Sequence, residues 1–167
     1  MVREILLLGD PRLYQVSLPV EKEEVGTLKE VVQDLHDILM DFRKKYGAGR
    51  AIAAPQIGVF KRLIYMCIDE PVVFINPTLY FEDNEMMEVL DDCMSFPGLL
   101  VRVKRYKRCT IRFKDLDFRD REMRLEGDLS ELLQHEYDHL DGILATMRAI
   151  DEKAFFYKEP KIVLNEE

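Results

Sequence analysis

The segment Gln134-His135-Glu136-Tyr137-Asp138-His139 sets two imidazoles four residues apart. On a helix such side chains project from one face, one turn apart, so both rings can reach a single ion. Glu136, next to the first ring, cannot point straight at that ion, which leaves its carboxylate placed to take a proton from water. Two of the chain's three histidines stand in this arrangement. A catalytic site of this kind needs a third protein ligand and keeps a fourth position for water. Cysteine is the source on offer. Cys67 and Cys109 lie in the strand-like runs Leu-Ile-Tyr-Met-Cys-Ile and Arg-Cys-Thr-Ile-Arg-Phe, where a thiol ordinarily behaves as a small buried hydrophobe. Cys93 lies in Asp91-Asp92-Cys93-Met94-Ser95-Phe96-Pro97-Gly98, whose polar flank and Pro-Gly punctuation read as a loop or strand end. That context suits a ligand, although a free thiol is as often inert. The expected chemistry is hydrolysis at one divalent ion held by His135, His139 and Cys93. The bland alternative is a helix whose histidines only cap a core edge. The third histidine, His36, lies beside the apolar stripe of an earlier helix and reads as structural or surface.

These residues need elements that hold them together. Leu28, Val31, Val32, Leu35, Ile38, Leu39 and Phe42 recur at helical spacing and predict a helix over about 28–46. Thr27 and Glu30 have capping-box form at its start, and Gly47 offers a stop. Strands are predicted at Leu63 to Ile68, Val72 to Ile75, Leu99 to Val103 and Cys109 to Phe113, with Phe118 and Met123 to Leu125 as a hairpin return around Arg119 and Asp120. The metal-binding helix is predicted from about Leu129 to Asp141, with Asp128 and Glu131 at capping-box spacing and Gly142 as its stop. Strands between two helices, joined by short connections, imply an α+β fold. Mainly antiparallel strands should pack around a central metal-binding helix, with an additional N-terminal helix.

The 167 residues suffice for one sizeable core, and with no repeat or Ser/Gly-rich linker they read as a single domain over 1–167. A net charge of -8 argues against a broad nucleic-acid surface, which needs Lys and Arg to displace counterions. The apolar run near the start is too brief for a signal peptide or membrane span, so no membrane partner is expected. Three cysteines cannot all pair with one another, and a chain this size needs no disulfides, so a reducing, cytoplasmic location is expected.

Taken together, the motifs resemble those of the peptide deformylase family. Gln134 to His139 match its Gln-His-Glu-x-x-His, and Asp91-Asp92-Cys93-Met94-Ser95 resembles its Glu-Gly-Cys-Leu-Ser. Gly49-Arg50-Ala51-Ile52-Ala53-Ala54-Pro55-Gln56 resembles its Gly-x-Gly-Leu-Ala-Ala-x-Gln. Asp10-Pro11 and Leu13 extend the likeness from Gly9 to about Met147, and the tail beyond Ile150 offers no match. The resemblance implies removal of the N-formyl group from the N-terminal methionine of nascent polypeptides, with release of formate. It makes Cys93, His135 and His139 the ligands of iron(II), zinc or nickel, and Glu136 the base. It adds the Gln56 side-chain amide and the Met94 backbone N–H as donors to the developing oxyanion. Gly49, Ala51, Ile52, Asp92 and Leu100 fall at its substrate-binding positions, and Arg105 where an Arg pairs with the motif's acidic residue, here Asp91. Ala51 and Asp92 stand where the family has Gly, and Leu100 where many members carry a substrate-facing Arg. These departures surround the substrate and leave the ligands intact. The partner implied is an N-formylated peptide or nascent chain. The other readings are an amide hydrolase with a different small N-acyl substrate, a zinc endopeptidase, and a metal-holding protein without turnover.

Overall fold

In the computed structural model, which describes residues 2–158, helix α1 spans Val25–Tyr46. It stops where expected, at Gly47 in a left-handed conformation with its N–H on the Arg43 carbonyl. Its start is earlier than the apolar stripe suggests. A 3-10 turn, Lys22–Glu24, leads straight into the helix, and the Glu21 N–H donates to Glu24 Oε2 at 2.7 Å. Thr27 Oγ1 donates to the Glu24 carbonyl, so it sits inside the first turn and the expected Thr27–Glu30 box is not formed.

Helix α2 spans Asp128–Leu140, again with its expected capping box absent. Asp128 and Glu131 lie within the helix, and the cap is Gly127 at φ 62, ψ -126, a conformation that favours glycine. The Gly127 N–H bonds the Lys107 carbonyl, so a tertiary contact replaces the side-chain cap. At the far end, Gly142 has φ 72, and a Cβ there would overlap the Tyr14 carbonyl. That close approach ties the N-terminal 3-10 turn Pro11–Tyr14 to the end of α2.

Between the helices lie antiparallel strands, which makes the fold α+β. Strands β1 (Ala51–Ala53), β2 (Leu63–Cys67), β3 (Pro71–Tyr80), β6 (Arg108–Lys114) and β7 (Asp120–Glu126) form one sheet in the order β1-β2-β3-β6-β7. Strands β4 (Met86–Asp91), β5 (Leu99–Tyr106) and β8 (Phe155–Tyr157) form a second, in the order β4-β5-β8. Alternation along the central strands explains the packing. Ile52, Leu63, Tyr65 and Ile75 pack with Leu35, Ile38 and Leu39 of α1. Their neighbours Ala51, Ala53, Ile64, Met66 and Phe74 pack with Leu132, Leu133 and Leu140 of α2. The small side chains at 51 and 53 let α2 lie close to β1. Val101 and Val103 of β5 pack with Cys93, Phe96 and Ala145, which brings the Cys93 loop to the 3-10 turn Ala145–Arg148 that follows α2.

Several strand expectations need correction. Strand β1 was not expected, and Phe118, at φ 58, lies in the turn before β7, whose first residue is Asp120. Strand β3 runs past Ile75 because Asn76, at φ 50, opens a register shift rather than an end. The Asn76 side chain bonds both the N–H and the carbonyl of Val20 at 2.8 Å, which holds the bulge. Strand β4 was not expected, because Val89 is its only β-branched residue and Met86-Met87-Glu88 break the two-residue alternation; only Asp91 of the six is buried. Strand β8 lies in the unmatched tail, and its three residues are exposed. The rest of that tail, 159–167, lies outside the described residues. Among the described residues no helix is long and apolar enough to cross a membrane.

Candidate metal centre

Helix α2 presents His135 and His139 on one face, and the turn after β4 brings Cys93 to them. The Cys93 Sγ lies 3.3 Å from His139 Nε2, which is 3.2 Å from His135 Nε2. The three donor atoms all fall within 4.8 Å of one another, and all three residues are buried. One soft and two borderline donors converge on this small space, and a single cation would take all three as ligands. The surroundings point the same way. The Ser95 N–H lies 3.4 Å and Gln56 Nε2 3.5 Å from the sulfur, and both donate to it. Asp91 Oδ2 lies 3.0 Å from His135 Nδ1, at an angle short of a directed hydrogen bond. A carboxylate behind a ligating imidazole orients the ring and raises its basicity. The donor set therefore fits one divalent ion.

Asp91 is itself fixed. Arg105 donates to Asp91 Oδ2 through Nη2 and to Asp138 Oδ2 through Nη1, both at 2.7 Å, and all three side chains are buried. Arg148 completes the group with 2.6 and 2.9 Å bonds to Asp138. Burial opposes ionisation of Asp91, but His135 and then Arg105 hold its carboxyl down at about 2. Gln134 locks α2 to β5, accepting from the Tyr106 N–H at 3.0 Å and donating to the Tyr106 carbonyl at 2.7 Å. Asp138, Arg148 and the positioning part of Gln134 escaped the sequence reading, because their meaning depends on β5 lying alongside α2.

Glu136 is buried, and burial pushes its carboxyl up to about 7. Its Oε2 has no hydrogen-bond partner among the described residues, which suits a group that must exchange protons. Burial and then His135 push His139 down, as two imidazoles this close cannot both be charged.

A cavity of about 630 Å³ opens beside these groups. Of the residues expected at substrate positions, Gly49, Ala51 and Asp92 line it, as does Met94. Gly49 has φ 129, and a Cβ there would press on Phe42 and Leu39, so the glycine is required by both conformation and space. Asp92 is paired with Lys158 Nζ at 2.7 Å, so its charge is neutralised at the rim. Two positions lie elsewhere. Ile52 is fully buried in the core against α1, and Leu100 sits on β5 opposite Phe156, outside the cavity lining. The alternation of β1 sends Ile52 away from the cavity, and β8 occupies the edge beside Leu100.

Gln56 is fully buried, its Oε1 accepting from the Ala53 N–H at 2.9 Å and its Nε2 donating to Ser95 Oγ at 3.0 Å. The Met94 N–H makes no hydrogen bond to protein among the described residues. His36 lies away from the cluster, with Nδ1 2.6 Å from Tyr65 Oη. Cys109 is buried, and burial pushes its thiol up; Cys67 packs against the α1 core. Arg50, Glu131 and Lys158 also line the cavity. Arg50 and Glu131 left a trace in the sequence, as a cation inside Gly49-Arg50-Ala51 and an acid one turn before His135.

The polypeptide deformylase family model matches residues 2–155. Peptide deformylase of Dictyoglomus thermophilum is 38% identical over 153 residues, covering 91% of this chain and 95% of that protein. Peptide deformylase of Pseudothermotoga lettingae is 36% identical, covering 86% and 81%. The crystal structure of peptide deformylase from Thermotoga maritima superposes with a TM-score of 0.82 at 30% identity, covering 90% of this chain and 99% of that one. The enzyme from Legionella pneumophila gives 0.80 at 35% identity, covering 89% and 86%. With the family model spanning nearly the whole chain and relatives of this similarity in sequence and fold, the protein belongs to the polypeptide deformylase family of hydrolases.

Proposed function

We propose that this single-domain protein removes the formyl group from the N-terminal methionine of nascent polypeptides in the cytoplasm and releases formate. The observation that carries the reading is a buried Glu136 carboxylate, its Oε2 without a partner among the described residues, beside the converging Cys93, His135 and His139 donors. Iron(II), zinc and nickel all suit a thiolate and two imidazoles. A divalent ion held there supplies Lewis acidity, lowering the pKa of water and polarising the acyl carbonyl. Glu136 accepts the proton released from water at its Oε2 and returns it to the leaving amine. Its pKa near 7 suits both transfers. Charge developing on the acyl oxygen is met by the Met94 N–H and by the Gln56 Nε2 amide, which the Ala53 N–H and Ser95 hydroxyl hold in place. Gly49 and Ala51 border the space where the peptide lies.

The departure at Ala51 favours a second reading, an amide hydrolase for a different small N-acyl group, because a Cβ there holds a peptide backbone further off than glycine does. Formate detection over parallel panels of formylated and acetylated peptides separates the two. Formate from formyl-methionyl peptides is the expected result. Acetate release alone would support the second reading, and casein cleavage in place of either would show an endopeptidase.

A further inference from the structure

The two imidazoles of the metal cluster are held in different ways. Asp91 lies behind the His135 ring, 3.0 Å from Nδ1, and is itself fixed by Arg105. Among the described residues His139 has no such carboxylate, and its buried Nδ1 has no hydrogen-bond partner. The direction of its ring is therefore set by the backbone that carries it, the last turn of α2. Helix ends fray unless their last carbonyls find donors. Here the donors come from across the fold. The Ser17 N–H bonds the Leu140 carbonyl at 2.8 Å, and Arg62 Nη1 bonds the same oxygen at 3.1 Å. Arg62 Nη2 pairs with Asp141 Oδ1 at 3.0 Å, and the guanidinium carbon lies 5.5 Å from the centre of the Tyr137 ring. One guanidinium thus grips Tyr137, Leu140 and Asp141, on either side of His139, without touching His139 itself. Its own base is fixed. The Arg62 N–H donates to the Leu18 carbonyl and the Arg62 carbonyl accepts from the Asn76 N–H, both at 2.9 Å, which ties it to the N-terminal segment and to β3. The side chain is only 15% exposed, so its polar contacts are stronger than they would be at the surface.

We infer that Arg62 is a positioning residue for the metal centre: its guanidinium holds the last turn of α2 so that His139 points at the ion, and its loss weakens metal binding although no ligand is touched. The inference rests on the ligand assignment and is independent of which acyl group the protein removes. The shape of the guanidinium matters as well as its charge. Its planar fork reaches a carbonyl and a carboxylate at once while lying over Tyr137, which a lysine ammonium cannot do. A cation also suits the partial negative charge at a helix C-terminus, so Arg62→Lys keeps part of the effect.

The test measures cobalt(II) affinity by competition with a chelator, on metal-free protein shown by circular dichroism to be folded. Arg62→Met keeps an apolar stem of similar length and leaves the Leu140 carbonyl its bond from Ser17, so the fold should survive. Its cobalt(II) Kd should rise about tenfold, the low end for groups that orient a metal ligand. Its visible cobalt(II) spectrum should differ from the parent's, because that spectrum follows the direction of the ligands. Arg62→Lys should fall between the two. Cys109→Ala, which loosens α2 near its first turn beside Ser130, should change neither readout. If Arg62→Met does not fold, Asp141→Ala removes one of the three grips at a partly exposed carboxylate and should raise the Kd about threefold, as an ion pair of that exposure supports. Parent-like Kd and spectrum in Arg62→Met, or in Asp141→Ala where it stands in, overturn the proposal. An equal rise in Cys109→Ala also overturns it, by making the effect one of general stability. Cobalt(II) binding by Cys93→Ala as tight as the parent's would remove the ligand assignment and the inference with it. Formate release is not read, so failure to hydrolyse formyl peptides counts against the proposed reaction alone.

Discussion

Cys93 and Cys109 are both buried, yet their neighbours divide their roles. Cys93 faces His139 at 3.3 Å and accepts from Gln56 and Ser95, whereas Cys109 sits in the cluster of Phe74, Ile111 and Leu133, its sulfur accepting from the Ser130 hydroxyl at 3.4 Å. Cys93→Ala and His139→Ala should therefore abolish stoichiometric metal, as measured by elemental analysis. Cys109→Ala should retain the metal and lose about 1–2 kcal/mol of stability to the small cavity. Equal metal loss from all three would contradict the ligand assignment. Glu136→Gln keeps the side chain's shape and removes the base, so it should bind metal normally while turnover drops by about a hundredfold or more. Undiminished formate release from that variant excludes Glu136 as the proton carrier. At this scale the sequence was most legible in α2, because four-residue spacing by itself sets two rings on one face. Ile52 and Leu100 were misjudged because a place in a motif does not say which side of a strand faces the cavity.

The elements that bring Cys93 to α2 were less legible. Strand β4, which delivers Asp91 and then Cys93, is apolar in sequence but mostly exposed, and its place beside β5 shows only once that pairing exists. Both helix caps were misassigned for a related reason. Glu24 and Gly127 begin their helices through a preceding 3-10 turn and a bond to Lys107, and neither device depends on the box-forming residues nearby. The junction of β4, β5 and α2 is held by Arg105 between Asp91 and Asp138. Arg105→Leu leaves buried Asp91 with His135 alone and Asp138 with Arg148 alone. Removal of one partner from a buried ionic group costs about 3–5 kcal/mol. Urea unfolding of the metal-free variant should show a loss of that order, and a loss under about 1 kcal/mol would mean that the group does not hold the junction.

Across the whole molecule, α2 is enclosed by the five-stranded sheet on one side and by β5 and the Cys93 loop on another. The α+β class was legible because two strong helical periods flank a run of β-branched and aromatic segments. The arrangement into two sheets was not, since the pairing of β8 with β5 joins chain segments over fifty residues apart through three exposed residues. Ligands from two such segments couple metal binding to folding. An ion present at a thousandfold over its Kd adds about 4 kcal/mol, so chelation should lower the Tm by roughly 10 °C. An unchanged Tm on verified metal removal would show that the site is not part of the folded core. The central claim, one ion at Cys93, His135 and His139 working with Glu136 to release an acyl group, is tested most directly by titration. Iron(II) is added anaerobically to the metal-free protein while formate release from formyl-Met-Ala-Ser is followed. The rate should rise linearly and break at one equivalent per chain in the parent, and Glu136→Gln should bind that equivalent without releasing formate. Formate release by the metal-free protein, or a fully loaded parent that releases none, would contradict the account.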